Sequence, residues 1–148
     1  MRKKDVLGIR ENLGFLLAKA SQRWNELLYE GFCRANYPDV RPAYGSILIP
    51  LFEEDGLQMG ELARRAWLSK QTMTTLIKAM EQKGLVVRRR DPEDARAFRI
   101  YLTDRSRRFK AVAEEVLKEL DERVKAQLTP KQVLILKNSL KALLSLSR

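Results

Sequence analysis

The apolar positions form helical stripes at both ends of the chain and a mixed pattern in its middle. From Val6 to about Ala35, the residues Ile9, Leu13, Leu16, Leu17, Ala20, Trp24, Leu27, Leu28 and Phe32 recur at i, i+3, i+4 spacing, which predicts one long helix. Val6 and Leu7 lie outside that stripe, at a place suited to a partner chain. A loop from Asn36 to Pro42 leads into a second helix, about Pro42 to Glu53, with Tyr44, Ile47, Leu48, Leu51 and Phe52 on its apolar face. Pro50 inside that helix predicts a kink or a restart, and Gly56 a left-handed stop.

Between Leu57 and Leu102 the elements shorten. A third helix is expected over about Met59 to Trp67, with Leu62, Ala63 and Ala66 inward and Gln58 as a weak N-cap. Ser69 is a good N-cap for a fourth helix ending near Lys83 at Gly84. Its buried stripe is Met73, Leu76, Ile77 and Met80, which turns Gln71, Thr74, Thr75 and Lys78 outward. Leu85 to Arg90 and Phe98 to Leu102 read as strands around a turn, Asp91 to Ala97. In the second strand Phe98, Ile100 and Leu102 share one face, and Arg99 and Tyr101 the other.

Thr103 caps a fifth helix, about Asp104 to Gln127, with Phe109, Val112, Ala113, Val116, Leu117, Leu120 and Val124 as its stripe. Thr129, Pro130 and Gln132 make a capping box with proline at the first helical position. The sixth helix is expected to run to about Leu146 with Val133, Leu136, Leu140, Leu143 and Leu144 inward. The expected fold is mostly α with a small β-hairpin wing (α+β): a winged helix-turn-helix core flanked by long terminal helices. A single domain is expected, with a DNA-binding lobe over about 40–104 and a dimerisation region over 1–36 plus 105–148. Joining two chains is the use that best explains terminal helices of this length.

Charge sharpens the picture. The 148 residues carry 29 Lys and Arg against 19 Asp and Glu, a net charge of +10. Lys83 to Lys110 alone holds ten basic and four acidic residues. Such a concentration attracts polyanions. The outward face of the fourth helix has no acidic residue, as a helix bound for a phosphate-lined groove requires. Its first turn offers Ser69, Lys70, Gln71 and Thr72, followed by Thr74, Thr75 and Lys78. Gln pairs bidentately with adenine, and Thr serves bases or phosphates. Arg96, near the hairpin tip, suits a narrow minor groove, with Asp94 to brace it. Arg88, Arg89, Arg90 and Arg99 on the strands are candidate phosphate clamps.

There is no histidine and one cysteine, Cys33. His-based zinc sites and the usual general base are thereby excluded, no internal disulfide is possible, and a reducing compartment fits. The paired acids Glu53/Glu54 and Glu114/Glu115 sit at adjacent helical positions and point apart, so no catalytic pair is in view. No run is apolar enough to span a bilayer and the N-terminus lacks a leader pattern, so the expected location is cytoplasmic, without membrane contact. No cofactor is expected.

The motifs Gly60-Glu-Leu-Ala63, Leu68-Ser-Lys-Gln-Thr72, Glu81-Gln-Lys-Gly-Leu-Val86, Arg88, Asp91-Pro-Glu-Asp-Ala-Arg96 and Leu102-Thr103 resemble the MarR (multiple antibiotic resistance regulator) family of bacterial transcription factors. The resemblance covers about Tyr37 to Arg108 in motif detail. It implies a triangular homodimer on a near-palindromic double-stranded DNA operator, with the fourth helix in the major groove and Arg96 in the minor groove. It implies a repressor released by a small, often aromatic or phenolic, ligand. Leu16, Ala20, Trp24, Tyr44 and Ile47 are the candidate ligand pocket. Two departures from the family pattern stand out: Ser106 where a glycine is usual, and Trp67 where a small residue usually makes the turn. Cys33 does not match the N-terminal sensor of the thiol-sensing branch and is read as inert. The alternative function is a winged-helix module that binds RNA or protein without operator specificity.

Overall fold

A computed structural model describes residues 8–146. Helix α1 spans Leu13–Arg34. Its start is set by Asn12, whose side chain accepts the Gly14 N–H at 2.9 Å. The apolar stripe begins earlier, but Gly8 is left-handed (φ +62°) and residues 8–12 form a turn, so the cap and not the stripe defines the end. Val6 and Leu7 lie outside the described residues.

A 3₁₀ turn, Pro42–Tyr44, feeds α2, Gly45–Glu53. The helix does not restart at Pro50, which is buried inside α2; the break in helix type falls instead at Gly45. Helix α3 spans Met59–Ala66, α4 Lys70–Gln82, α5 Asp104–Lys125 and α6 Pro130–Leu144. Both later helices open with complete capping boxes. At α5 the second member is Ser106: its hydroxyl accepts the Thr103 N–H at 2.9 Å, while its own N–H donates to the Thr103 hydroxyl. The serine thus contributes a cap that glycine has no side chain to make.

The sheet has three antiparallel strands in the order β1-β3-β2, with β1 Leu57–Gln58, β2 Val86–Arg90 and β3 Phe98–Leu102. The two-residue β1 is too short to leave a period in the sequence. It pairs Leu57 with Ile100 and Gln58 with Arg99. Register on the other side sets Val86 against Leu102, Arg88 against Ile100 and Arg90 against Phe98.

The core lies between the sheet, α2, α3 and α4, and continues under α5 to the second half of α1. Phe109 of α5 meets Phe32 and Tyr37 edge-on, with centroids 4.9 and 5.0 Å apart. Nearby, a β-carbon added to Gly31 would stand 2.5 Å from a methyl of Val116, so α1 and α5 cross in closer contact than any side chain at 31 allows.

Helix α6 departs from expectation. None of its residues is buried, and Leu134, Ile135, Leu136, Leu140 and Leu144 are exposed. The same holds for Ile9, Leu13, Phe15, Leu16 and Leu17 near the start of the chain. The stripes are present, but no element among the described residues covers them. Among the described residues no helix is long and apolar enough to cross a membrane.

Replacing Gly31 by Ala forces the α1–α5 crossing apart. The expected loss is about 1–3 kcal/mol of stability, the range for overpacking a close contact. A β-carbon on Gly60 meets nothing within 4 Å, so Gly60→Ala is the control, expected to stay within about 0.5 kcal/mol of the parent. Denaturant midpoints of the two variants check both.

Candidate nucleic-acid interface

Helix α4 is fixed by its inner face. Met73, Ile77 and Met80 are fully buried, and Leu76 is half-buried. The outer face, Lys70, Gln71, Thr72, Thr74, Thr75 and Lys78, is wholly exposed. Ser69 caps the helix, accepting the Thr72 N–H at 3.2 Å, and the two hydroxyls lie 2.9 Å apart. Thr74 and Thr75 donate their hydroxyls back to the carbonyls of Lys70 and Gln71 at 2.9 and 3.1 Å. Their protons are therefore occupied, leaving a methyl group and oxygen lone pairs to face outward. Lys70, Gln71 and Lys78 make no side-chain hydrogen bond or ion pair within the described residues, so their donors are available.

The turn that sets α4 against α3 depends on Trp67. It adopts φ +58° and ψ 36°, a left-handed conformation uncommon for a bulky residue. The residue is 64% exposed. The sequence departure at this position therefore carries real backbone strain, held by the Leu68 N–H donating to the Ala63 carbonyl.

The hairpin divides its arginines by face. Arg88 and Arg90 share the face of Phe98, with guanidinium carbons 5.2 and 5.5 Å from the ring centroid. Arg88 also lies 3.6 Å from Glu81, and Arg90 donates to the Ala95 carbonyl at 2.6 Å. Arg89 is on the opposite face, over Tyr101. Arg99 lies on the same face as Arg89 but is tied down there: it donates to Asp91 at 3.1 Å and to the Gly56 carbonyl at 2.8 Å. It braces the wing, and its expected role as a phosphate clamp does not fit this placement. Arg96 projects from the turn with its side chain 96% exposed. Asp94 accepts the Arg96 backbone N–H at 3.0 Å, so it shapes the turn more than it holds the guanidinium, which stands 3.9 Å away.

Asp91 is the residue the sequence reading missed. It is buried, and its carboxylate accepts from Gln58, from the Glu93 N–H and from Arg99. These bonds, Gln58 first, hold its carboxyl below the usual range. The base of the wing is thus locked to β1. An aspartate opening a turn was the available signal, but its burial depends on β1. A groove of about 330 Å³ between wing and helices brings together Gln58, Lys70, Thr74, Arg96 and Phe98. Lys70 and Arg96, far apart in sequence, line one surface there.

Of the five candidate ligand residues, only Trp24 lines the large cavity, about 580 Å³. Leu16 and Ala20 are exposed on α1, and Tyr44 and Ile47 are core. The Tyr44 hydroxyl accepts from Lys83 at 2.6 Å. The cavity walls are Trp24 and Phe32 of α1, Phe52 of α2, Trp67, and Phe109 and Leu117 of α5, with Arg41 and Arg65 among the polar lining groups. The apolar positions at 24 and 32 were legible. That α1, α2 and α5 leave space between them was not. Among the described residues no cluster of Asp, Glu or Cys is arranged to hold a metal ion.

The MarR family model matches residues 42–98. The organic hydroperoxide resistance transcriptional regulator of Bacillus subtilis is 30% identical over 102 residues, covering 69% of this chain and 67% of that protein. The HTH-type transcriptional regulator TtmR of Methylorubrum extorquens is 42% identical over 64 residues, 43% of this chain and 33% of that one. The aligned stretches thus span between a third and two thirds of these relatives. Among solved structures, the transcriptional repressor CouR bound to a 23-mer DNA duplex aligns over 96% of this chain and 99% of its own, with TM-score 0.79 and 25% identity.

Replacing Asp91 by Asn removes the charge that Arg99 and Gln58 are arranged around. Because folding depresses this carboxyl's pKa, its contribution to stability is present above the ordinary carboxylate value and is lost as pH falls through the lower, folded value. The expected result is a lower denaturant midpoint for the variant at about pH 6, with the gap to the parent narrowing towards about pH 3.

Proposed function

The chain belongs to the MarR family, and on that premise we propose that it is a cytoplasmic, sequence-specific double-stranded DNA-binding transcriptional regulator. The single observation that carries this reading is the outer face of α4. It is exposed from Lys70 to Lys78, free of acidic residues, and continuous with Arg96 of the wing through one groove. A helix of this kind fits the major groove, where its first residues reach base edges. Arg96 enters the neighbouring minor groove. Lys70, Lys78, Arg88, Arg89 and Arg90 meet phosphates.

The functional unit we propose is a homodimer on a near-palindromic operator. The uncovered apolar faces of α6 and of the start of α1 support it, since a solvated monomer rarely leaves large contiguous apolar patches. The lobe over about 40–104 reads DNA, and the chain ends join the protomers. Two α4 helices then address half-sites about 34 Å apart. The protein acts as a repressor, and a small apolar or aromatic ligand in the cavity of about 580 Å³ releases it by favouring a conformation with lower DNA affinity.

The experiment is selection of duplexes by the purified protein from a randomised pool, followed by footprinting. A two-fold symmetric consensus is expected, and failure to enrich any sequence over random DNA overturns the reading. On the selected duplex, Gln71→Ala is expected to lose about 1–3 kcal/mol of binding and to relax preference at one base pair per half-site. An unchanged preference would remove Gln71 from the readers.

Leu136→Asp places a charge in the exposed apolar face of α6. Sedimentation at micromolar concentration is expected to show dimer for the parent and monomer for the variant, with operator affinity reduced at least tenfold. A dimeric variant would shift the interface elsewhere.

A further inference from the structure

The far end of α4 is held by a second device, distinct from the contacts that face DNA. The last carbonyls of any helix lack intrahelical donors and carry partial negative charge. Helix α4 has no basic residue in its own last turn. Its last-turn carbonyls at Ala79, Met80 and Glu81 accept from the N–H groups of Lys83, Leu85 and Gly84, and the two carbonyls that follow the helix take donors from the N-cap and first turn of α5. Arg105 donates one guanidinium N–H to the Lys83 carbonyl at 2.9 Å, and Thr103 donates its hydroxyl to the Gly84 carbonyl at 2.6 Å.

Arg105 then reaches the other way. Its second guanidinium nitrogen donates to Asp39 at 2.7 Å, in the loop between α1 and α2. Its guanidinium carbon stands 5.4 Å from the centroid of Tyr37, which itself packs on Phe109. The hydrogen bond from Arg105 is the largest influence holding the Asp39 carboxyl below its usual range. Both partners adjoin the large cavity: Val40 and Arg41 follow Asp39, and Phe109 lies one helical turn beyond Arg105.

We propose that Arg105 is a positioning residue for DNA reading: with Asp39 it forms a latch that fixes the carbonyl end of α4 to α5 and to the loop after α1. The proposal rests on the DNA-binding reading above. Opening the latch leaves the buried stripe of α4 in place but loosens the angle at which its outer face is presented.

The two halves of the latch give opposite charge changes, which makes it testable with the full-length protein and a duplex it selects from a randomised pool. Asp39→Asn raises the net charge by one, so electrostatics alone predicts tighter DNA binding. The latch predicts weaker binding, by about five- to tenfold, the equivalent of one ordinary, partly exposed hydrogen bond. Arg105→Ala is expected to weaken binding similarly while leaving the slope of log K against log salt unchanged, because no phosphate contact is lost. A residue that touched phosphate would reduce that slope by about 0.9. Both variants are expected to speed amide exchange at Gly84 and Leu85, whose N–H groups close the end of α4. Binding measured well below each variant's melting temperature separates the effect from unfolding. Asp39→Asn binding as tightly as the parent, or Arg105→Ala with a reduced salt slope, overturns the latch. A parent protein that selects no duplex overturns the DNA-binding reading itself, and with it the role given to Arg105.

Discussion

The structure depends on burying three side chains of one short helix. Met73, Ile77 and Met80 of α4 are removed from water almost completely, each worth about 1.5–3 kcal/mol in transfer terms. That burial fixes the rotation of α4 about its axis. Because the inner face cannot turn, the outer face cannot either, and Gln71, Thr74 and Lys78 are presented in one orientation. The sheet, α2 and α3 supply the apolar surface that receives the stripe, and the wing then has a defined place beside it.

The sequence made some elements readable and left others hidden, for reasons that can be named. Helix α4 and strand β3 were legible because a cap, a stop and a clean period coincide: Ser69 and Gly84 bracket α4, and β3 alternates from Phe98 to Leu102. Strand β1 was hidden because two residues have no period, and with it went the burial of Asp91 and the bond that ties Arg99 to it. An arginine on a strand reads the same whether it meets solvent or a buried carboxylate. Only the pairing of Gln58 with Arg99 decides between them. The start of α1 was misplaced because apolar spacing continues past Asn12, while the backbone obeys the cap.

The chain ends show a different limit. The stripes of α1 and α6 were correctly read as apolar, but inward and towards a partner are the same statement in a sequence. The structure separates them by leaving Leu134, Ile135 and Leu136 in solvent while burying Val116 and Leu120 of α5. Four of the five candidate pocket residues fall outside the cavity, two of them for a related reason. Residues such as Tyr44 and Ile47 pack too well to line a space, whereas the cavity opens where α1, α2 and α5 diverge around Trp24 and Phe109. Cavities arise from how elements diverge, which no single stripe records.

The glycine at position 31 bears on how motion passes through the molecule. Val116, which leaves no room for a β-carbon on Gly31, stands partway along a stiff rod of 22 residues. At 1.5 Å per residue, about 18 Å of that rod lies on the Asp104 side of the crossing and about 14 Å on the Lys125 side. Gly31 is therefore the point where α1 holds α5 at close range. A tilt of α5 about that point would displace the Asp104 end about a third further than the Lys125 end, and in the opposite sense. The absence of a side chain at one position thus sets where along α5 the two helices meet.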